Sequence, residues 1–191
     1  MKNTILGQFI MNPRTTGAIW PSSRTLCRTL AGEIGIEKAA SVVELGPGTG
    51  AATGLILESI SPTAKLFAVE LNANVIPPFR KKFPQVRLYN DSAANLRLLM
   101  NQEGVSQVDV IISGLPWASF SDSLQEELLS VIYDSLAPDG GVFTTFAYLQ
   151  GTLLPAGRKF RKRLQKYFSR VSKSEVVWKN LPPAFVYRCV K

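Results

Sequence analysis

The stretch Ser41-Val-Val-Glu-Leu-Gly-Pro-Gly-Thr-Gly-Ala51 predicts the centre of the fold. A short run of β-branched residues ends at the acidic Glu44, glycines follow at positions 46, 48 and 50, and a helical pattern begins at Ala51. The pattern predicts a strand, a tight turn and a helix start in succession. Glycine tolerates the backbone of such a turn, and a helix start offers N–H groups without partners. We therefore expect a small polar ligand to bind against this loop.

Two kinds of cofactor site compete for this loop. Gly46-x-Gly48-x-x-Ala51 is a form of the fingerprint of dinucleotide-binding domains. Three features favour a different ligand. Glu44 lies two residues before the first glycine, and a third glycine follows at position 50. In addition, 40 residues precede the strand, whereas a dinucleotide-binding domain usually begins with this strand. A phosphate-binding loop of the Walker type is excluded because no Gly-Lys-Ser/Thr follows.

The stretch resembles motif I of the class I S-adenosylmethionine-dependent methyltransferases. In that family the acidic residue, here Glu44, acts on the ammonium group of the methionine moiety, and the glycine backbone lies against the cofactor. The resemblance implies S-adenosylmethionine as the cofactor. It also implies a binding loop made of Glu44, Gly46, Pro47, Gly48 and Gly50.

The composition is that of an ordinary globular protein. A chain of 191 residues suits a single domain, residues 1–191, in which we expect residues 1–35 to form an N-terminal helical cap. The formal net charge of +8 predicts an anionic partner, which nucleic acid, anionic lipid and an acidic substrate satisfy equally.

The reactive side chains are few. There are two cysteines, Cys27 and Cys189, far apart in the sequence, and no histidine, so we expect no metal site. So few cysteines are typical of the reducing cytoplasm. We expect neither a signal peptide nor a transmembrane segment, because the longest uncharged run, residues 140–157, contains threonines, a glutamine and a proline.

Strands and helices alternate after motif I, which predicts a parallel sheet with helices on both faces. The predicted strands are 66–70, 86–91, 108–113 and 142–149, and the predicted helices are 51–60, 74–83 and 124–136. A further helix is predicted near the C-terminus, and its buried face carries Phe160, Leu164, Tyr167, Phe168 and Val171. Segments 175–179 and 184–190 predict a C-terminal antiparallel hairpin whose connection, residues 180–183, lies on the ligand side. The fold class is α/β, with the Rossmann-like seven-stranded sheet of class I methyltransferases.

Acidic residues end the second and third predicted strands. A carboxylate at Glu70, twenty residues after Gly50, is placed to accept hydrogen bonds from both ribose hydroxyls. Leu71 follows it and is included in the predicted cofactor site. The resemblance implies that Asp91 binds the adenine amino group and that Ser92 adds a backbone donor. The alternative for Asp91 and Ser92 is ordinary turn chemistry.

Ser113-Gly-Leu-Pro-Trp117 follows the fourth strand, where amino-directed methyltransferases carry Asp/Asn/Ser-Pro-Pro-aromatic or Asn-Leu-Pro-Tyr. A proline-stiffened turn fixes backbone carbonyls that accept from a target N–H, and an aromatic face stabilises an amine as it becomes cationic. We predict catalytic roles for Ser113, Leu115, Pro116 and Trp117, and cofactor contacts for Ser113 and Gly114. The alternative is a proline turn that anchors a buried tryptophan.

Four segments together make nearly the whole chain resemble the bacterial phospholipid N-methyltransferases. They are Gly-Ala-Ile-Trp-Pro-Ser-Ser (17–23), motif I, Ser-Gly-Leu-Pro-Trp and Asn-Leu-Pro-Pro-Ala-Phe-Val-Tyr (180–187). The resemblance implies methyl transfer to the amino head group of phosphatidylethanolamine at the cytoplasmic face of a membrane. A monomeric, peripheral protein is expected, with anionic lipid contacted by the basic face of helix 158–170 and by the apolar N-terminal segment.

Three alternative functions remain at this point. An adenine N6-methyltransferase of ribosomal RNA also fits a Leu-Pro-aromatic turn and a basic surface, although position 113 is Ser and neither Asn nor Asp. Nucleic acid is a partner only under that alternative. The second alternative is a methyltransferase of small soluble amines. The third is a module that binds the cofactor or a membrane but no longer transfers methyl groups.

Overall fold

A computed structural model describes residues 23–191, and seven strands of this range form one sheet in the order β3-β2-β1-β4-β5-β7-β6. The strands are β1 (Ser41–Leu45), β2 (Lys65–Val69), β3 (Arg87–Tyr89), β4 (Val110–Ser113), β5 (Val142–Tyr148), β6 (Arg170–Lys173) and β7 (Ala184–Val190). Strands β1 to β5 are parallel, and β7 is antiparallel to both of its neighbours. The predicted fold class is confirmed.

Helices cover both faces of the sheet. They are α1 (Arg24–Ala31), α2 (Thr53–Ser59), α3 (Ile76–Lys82), α4 (Leu96–Gln102), α5 (Asp122–Ser135) and α6 (Pro155–Tyr167). Helices α1 to α3 pack on one face and α4 to α6 on the other. None of these helices of residues 23–191 combines the length and the apolar character needed to cross a bilayer.

The central strands β1 and β4 are buried on both faces, as expected for a parallel sheet between two helical layers. In β1, Val42 belongs to the apolar cluster that contains α1 and α2, and its neighbour Val43 belongs to the cluster that contains α4, α5 and α6. Glu44 breaks this apolar pattern with a carboxyl group that is only 2% exposed. A buried carboxyl group in a central strand requires a hydrogen-bonding or charged partner, which we expect at the ends of the strands.

Helix α4 has no counterpart among the predicted helices. Leu96, Leu99 and Met100 are buried at a helical spacing in the cluster around α5. Ser92 accepts a hydrogen bond from the backbone of Ala94 and so begins the short 3-10 turn that leads into the helix. The spacing and the cap are both visible in the sequence, but the helix is only seven residues long.

The predicted C-terminal hairpin has a different first strand. The edge strand is β6, not residues 175–179, of which Val177 alone makes an isolated bridge to Ala184. Val171 therefore lies in β6 and not on the face of α6, which ends at Tyr167. The physical reason is that β6 is exposed along most of its length, and exposed edge strands carry charged residues in place of an apolar alternation.

The N-terminal predictions fall largely on residues that are not described. The apolar segment before Asn12 and residues 17–22 of the phospholipid N-methyltransferase pattern lie outside residues 23–191. Within the predicted helical cap of residues 1–35 the structure describes α1, and the hydroxyl of Ser23 caps it by accepting from the backbone N–H of Leu26 at 3.2 Å.

Candidate active site

A cavity of about 650 Å³ opens at the carboxyl edge of the parallel strands. It lies where β1 and β4 are neighbours, and their connections lead to α2 on one face and α5 on the other. Such a reversal of strand order is the usual ligand site of open α/β sheets, and the volume is typical of small-molecule pockets. Among residues 23–191, Glu44, Gly48 and Glu70 line one side, and Trp117, Phe160 and Tyr187 line the other.

The glycines of the motif I loop serve different purposes. Gly46, Pro47 and Gly48 line the cavity. A Cβ atom placed on Gly48, whose φ is +55°, would meet no atom within 4 Å, so this glycine leaves bare backbone facing open space. A Cβ atom on Gly50, whose φ is +80°, would lie 2.1 Å from the ring of Phe83. Gly50 thus permits the close approach of α3, and it is not among the residues that line the cavity.

Glu44 is the most perturbed carboxyl group of the site. Its Oε2 accepts a 2.6 Å hydrogen bond from the hydroxyl of Thr53, the first residue of α2. Desolvation by burial raises the pKa of Glu44 to about 7, the Thr53 hydrogen bond opposes that rise, and the nearby Glu70 adds to it. A cationic ligand at this point would favour the ionised form. Thr53 was not predicted, although a polar residue one helix turn beyond the loop is a usable signal.

Glu70 fixes the loop to the end of β2. Its Oε2 accepts from the backbone N–H of Gly48 at 3.0 Å, and its Oε1 accepts from the backbone N–H of Asn72 at 2.8 Å. Burial raises the pKa of Glu70, and these backbone hydrogen bonds counter the rise. A carboxylate oxygen can accept more than one hydrogen bond, so both oxygens retain capacity for a ligand.

Besides Gly50 and Ser113, three predicted cofactor residues, Leu71, Asp91 and Ser92, lie outside the cavity lining formed by residues 23–191. Leu71 packs against the core cluster of α4 and α5. The Oδ1 of Asp91 accepts from the backbone N–H of Ser92 at 2.7 Å and from the side-chain amide of Asn95 at 2.8 Å. The carboxylate of Asp91 therefore organises the entry to α4, and the roles of Leu71, Asp91 and Ser92 in cofactor binding stay predictions.

The turn after β4 is organised by the side chain of Ser113. This residue is fully buried, and its Oγ accepts from the backbone N–H of Leu115 at 3.3 Å and from Nε1 of Trp117 at 3.1 Å. Gly114, Leu115, Pro116 and Trp117 line the cavity, whereas Ser113 is not among its lining residues. The hydroxyl group of Ser113 thus stabilises the turn without lining the cavity.

Trp117 belongs to an aromatic wall. Its ring stacks on Phe160 of α6 with centroids 5.1 Å apart, and Phe160 meets the edge of Tyr187 of β7 at 6.2 Å. Tyr148, at the end of β5, lines the same cavity. Burial raises the pKa of both tyrosines, which favours their neutral phenol form. Phe160 and Tyr187 were not predicted as site residues, because only the folded topology brings α6 and β7 beside the end of β4.

The cavity fits the S-adenosylmethionine expected from motif I. Gly48 leaves room for a ligand against its backbone, and Glu44 keeps one carboxyl oxygen without a hydrogen bond from any residue in 23–191. Glu70 presents a carboxylate from the end of the neighbouring strand, at the position from which ribose hydroxyls are bound in this sheet. These three groups would hold the cofactor.

Sequence comparison finds a lipid-modifying relative. No protein-family model matches the chain. The chain is 31% identical over 189 residues to the ornithine lipid N-methyltransferase of Singulisphaera acidiphila, an alignment that covers 96% of this chain and 93% of the relative.

Solved methyltransferase structures share the fold. The O-methyltransferase of Bacillus cereus in complex with S-adenosylhomocysteine gives a TM-score of 0.71 at 16% identity, over 100% of this chain and 92% of that one. TomG of Streptomyces achromogenes in complex with S-adenosylmethionine gives 0.70 at 15% identity, over 100% and 91%. The N-methyltransferase NodS of Bradyrhizobium japonicum in complex with S-adenosylhomocysteine gives 0.64 at 13% identity, over 88% and 85%.

Proposed function

Because this chain belongs to the family of the ornithine lipid N-methyltransferase, within the class I S-adenosylmethionine-dependent methyltransferases, we propose that it methylates the amino head group of a membrane lipid. Phosphatidylethanolamine is the acceptor that the sequence favours, and ornithine lipid is the acceptor named for the relative. Both lipids present a primary amine near an anionic group. The proposed setting is the cytoplasmic face of a membrane, where a monomer binds peripherally.

The observation that carries this proposal is the aromatic half of the cavity. Trp117, Tyr148, Phe160 and Tyr187 line it, and the charged residues of the lining within 23–191 are Glu44 and Glu70, both on the loop side. Aromatic faces attract an ammonium group, and they do so more strongly where water is excluded. An amine that gains positive charge during transfer is therefore stabilised without a carboxylate beside it.

The turn after β4 supplies a backbone acceptor for the amine. The carbonyl of Leu115 accepts from Trp117, and that of Trp117 accepts from the side chain of Gln125 at 2.8 Å. The carbonyl of Pro116 accepts from Ser119. Gly114 lines the cavity, and among residues 23–191 nothing donates to its carbonyl. We assign this carbonyl the role of orienting the target N–H.

Deprotonation of the amine follows from burial. When bound, S-adenosylmethionine supplies an electrophilic methyl group, so the acceptor nitrogen must present a lone pair. Moving an ammonium group out of water lowers its pKa, which releases the proton without a strong base. The chain has no histidine that could act as a general base. Asp122, a carboxylate shortly after the turn in the sequence, lies outside the cavity lining and pairs with Lys159 and Arg163. Orientation and exclusion of water supply the remaining rate enhancement, on the order of 7–11 kcal/mol for well-oriented reactants.

The test is transfer of radiolabelled methyl groups from S-adenosylmethionine. Vesicles of phosphatidylethanolamine, vesicles that contain ornithine lipid, and undermethylated ribosomal RNA are compared at one salt concentration. We expect label in the lipid fraction, and the ratio between the two lipids identifies the acceptor. Label in RNA alone would overturn the lipid proposal. Label in none of the three would move the search to small soluble amines.

Trp117→Phe is expected to lower the turnover rate about tenfold while leaving the affinity for S-adenosylmethionine within about twofold. Phenylalanine keeps a ring against Phe160 but loses the hydrogen bond from Nε1 to Ser113, so the turn loosens. Alanine is less informative here, because Trp117 is 3% exposed and its removal from a core costs about 3–5 kcal/mol of stability.

The matched control for Trp117→Phe is Trp178→Phe, with both variants assayed on a short-chain, monomeric lipid, since Trp178 is exposed and does not line the cavity. Calorimetric titration with the cofactor and steady-state transfer rates separate binding from turnover. Normal turnover of Trp117→Phe, or an equal loss in both variants, would contradict the acceptor role of the turn.

A further inference from the structure

Three of the exposed apolar side chains lie in two loops near the cavity. In residues 23–191, the large apolar side chains that are mostly exposed are Leu98, Leu154, Trp178 and Leu181. Single exposed apolar residues are ordinary. Leu154, however, precedes α6, and Trp178 and Leu181 lie in the connection between β6 and β7, so these three belong to two loops at the carboxyl edge of β5.

Those two loops are joined to each other and to the cavity. The backbone N–H of Leu149 donates to the carbonyl of Pro183 at 2.8 Å. Leu154 and Pro182 both line the cavity. The side chain of Asn180 accepts from the backbone of Ser23 at 2.9 Å and donates to the carbonyl of Pro182 at 2.7 Å. The connection from β6 to β7 is therefore held beside the cavity, and Trp178 and Leu181 are exposed on it.

The basic face of α6, which the sequence predicts as the lipid contact, is partly neutralised. Lys159 and Arg163 pair with Asp122 of α5, and Lys166 pairs with Glu126 at 2.6 Å. Ion pairs on a surface leave less charge for a partner. We therefore expect the membrane contact among cations outside these three pairs, on α6 and beyond it.

A second set of cations lies outside these ion pairs, and one of them, Lys179, is the sequence neighbour of Trp178. Arg161, Lys162, Lys173 and Lys179 are exposed and make no ion pair with any residue in 23–191. The ammonium of Lys173 lies 4.7 Å from the ring centroid of Phe185, and its pKa is lowered by burial and by the neighbouring Arg161. Residues 158–191 contain half of the 22 lysines and arginines of the chain and a single acid, Glu175.

We propose that Leu154, Trp178 and Leu181 form a rim that docks on an anionic bilayer and sets the cavity mouth against the lipid head groups. Tryptophan favours the interface between lipid and water, and leucine favours the hydrocarbon beneath it. The unpaired cations contact anionic head groups. The inference rests on the proposed lipid acceptor, because docking in this orientation lets a lipid enter the cavity without crossing water.

The test is vesicle binding by the double variant Trp178→Ser, Leu181→Ser, which leaves every cavity-lining residue in place. Leu98→Ser is the matched control, since Leu98 is 63% exposed, Leu181 is 67% exposed, and Leu98 does not line the cavity. Sedimentation with vesicles of phosphatidylcholine and phosphatidylglycerol should show binding at least about tenfold weaker for the double variant and unchanged binding for Leu98→Ser. Arg161→Gln with Lys179→Gln should weaken binding to these vesicles but not to pure phosphatidylcholine, and Lys81→Gln should change neither.

A second readout separates this inference from the proposed function. Transfer to a short-chain, monomeric phosphatidylethanolamine should be unaffected in the double variant, while transfer to vesicles falls. Binding of the double variant equal to that of the wild type, or an equal loss in Leu98→Ser, would overturn the rim. A wild-type dimer that the double variant dissociates would assign the rim to a second copy and also overturn it. Vesicle binding without transfer to any lipid would refute the proposed function and leave the rim intact.

Discussion

Replacing Gly48 by valine is expected to abolish binding of S-adenosylmethionine, with a loss in affinity of at least about 100-fold, or about 2.7 kcal/mol. Gly48 has a φ of +55°, which a β-branched residue adopts only with strain. Gly48 lines the cavity and an added Cβ would meet no atom within 4 Å, so we expect the two methyl groups of valine to occupy volume that the ligand needs. Calorimetric titration with the cofactor measures the loss directly.

The chain supplies a matched control for this prediction. Gly140 has a φ of +82° and, like Gly48, no atom within 4 Å of an added Cβ, but it lies in the turn before β5, at the opposite edge of the sheet. Gly140→Val therefore carries comparable backbone strain away from the cavity and should bind the cofactor normally. Equal losses in the two variants would point to strain, and retained affinity in Gly48→Val would refute the placement of the cofactor against the loop.

The central part of the fold was predictable because its signals are local. Strands β1 and β4 are buried on both faces, so each is a short continuous apolar run, and the loop after β1 carries three glycines within five residues. The buried acid Glu44 is conspicuous in such a run. These features alone predict that the loop and the end of β4 lie on one edge of a parallel sheet.

The remainder depends on contacts between distant parts of the chain. Nothing near Gly50 in the sequence indicates that it faces Phe83, and Phe160 and Tyr187 join Trp117 only after α6 and β7 pack beside β4. The edge strand β6 lacks apolar alternation, because most of it is exposed. A local pattern therefore placed that strand at residues 175–179.

The charge that α6 presents to a partner also depends on contacts between distant parts of the chain. Its basic residues form one cationic face in the sequence, but the acids that pair with three of them, Asp122 and Glu126, come from α5 more than thirty positions earlier. Composition predicts the sign of a partner's charge, whereas the packing of two helices decides which cations remain to meet it.

Glu44→Gln is expected to weaken binding of S-adenosylmethionine by about 10- to 100-fold at neutral pH, since an ionised carboxylate contributes about 1.5–3 kcal/mol in a hydrogen bond to a charged group. Glutamine has nearly the same shape and keeps an oxygen for the hydroxyl of Thr53, so the loop should stay in place. Exposed Glu37→Gln, which removes a carboxylate from the surface, is the control and should bind the cofactor as the wild type does.

The pH dependence identifies Glu44 as the responsible group. Its pKa is about 7 in the folded chain against 4.5 for an ordinary glutamate, so the folded state retains a proton that the unfolded state loses between these values. The free energy of unfolding therefore falls as the pH rises from 4.5 through 7, by about 3 kcal/mol from this group. Denaturant titrations should show this fall in the wild type and in Glu37→Gln, and a smaller fall in Glu44→Gln, where Glu70 still contributes in the same direction.

Cofactor binding should show the opposite trend with pH. An ammonium ligand prefers ionised Glu44, so the affinity of the wild type should rise between about pH 5.5 and about pH 7.5, below the usual titration of an α-amino group. The affinity of Glu44→Gln should be nearly constant over the same range. A rise that persists in this variant would assign the titration to another group, such as Glu70, and would remove Glu44 from contact with the ammonium of the cofactor.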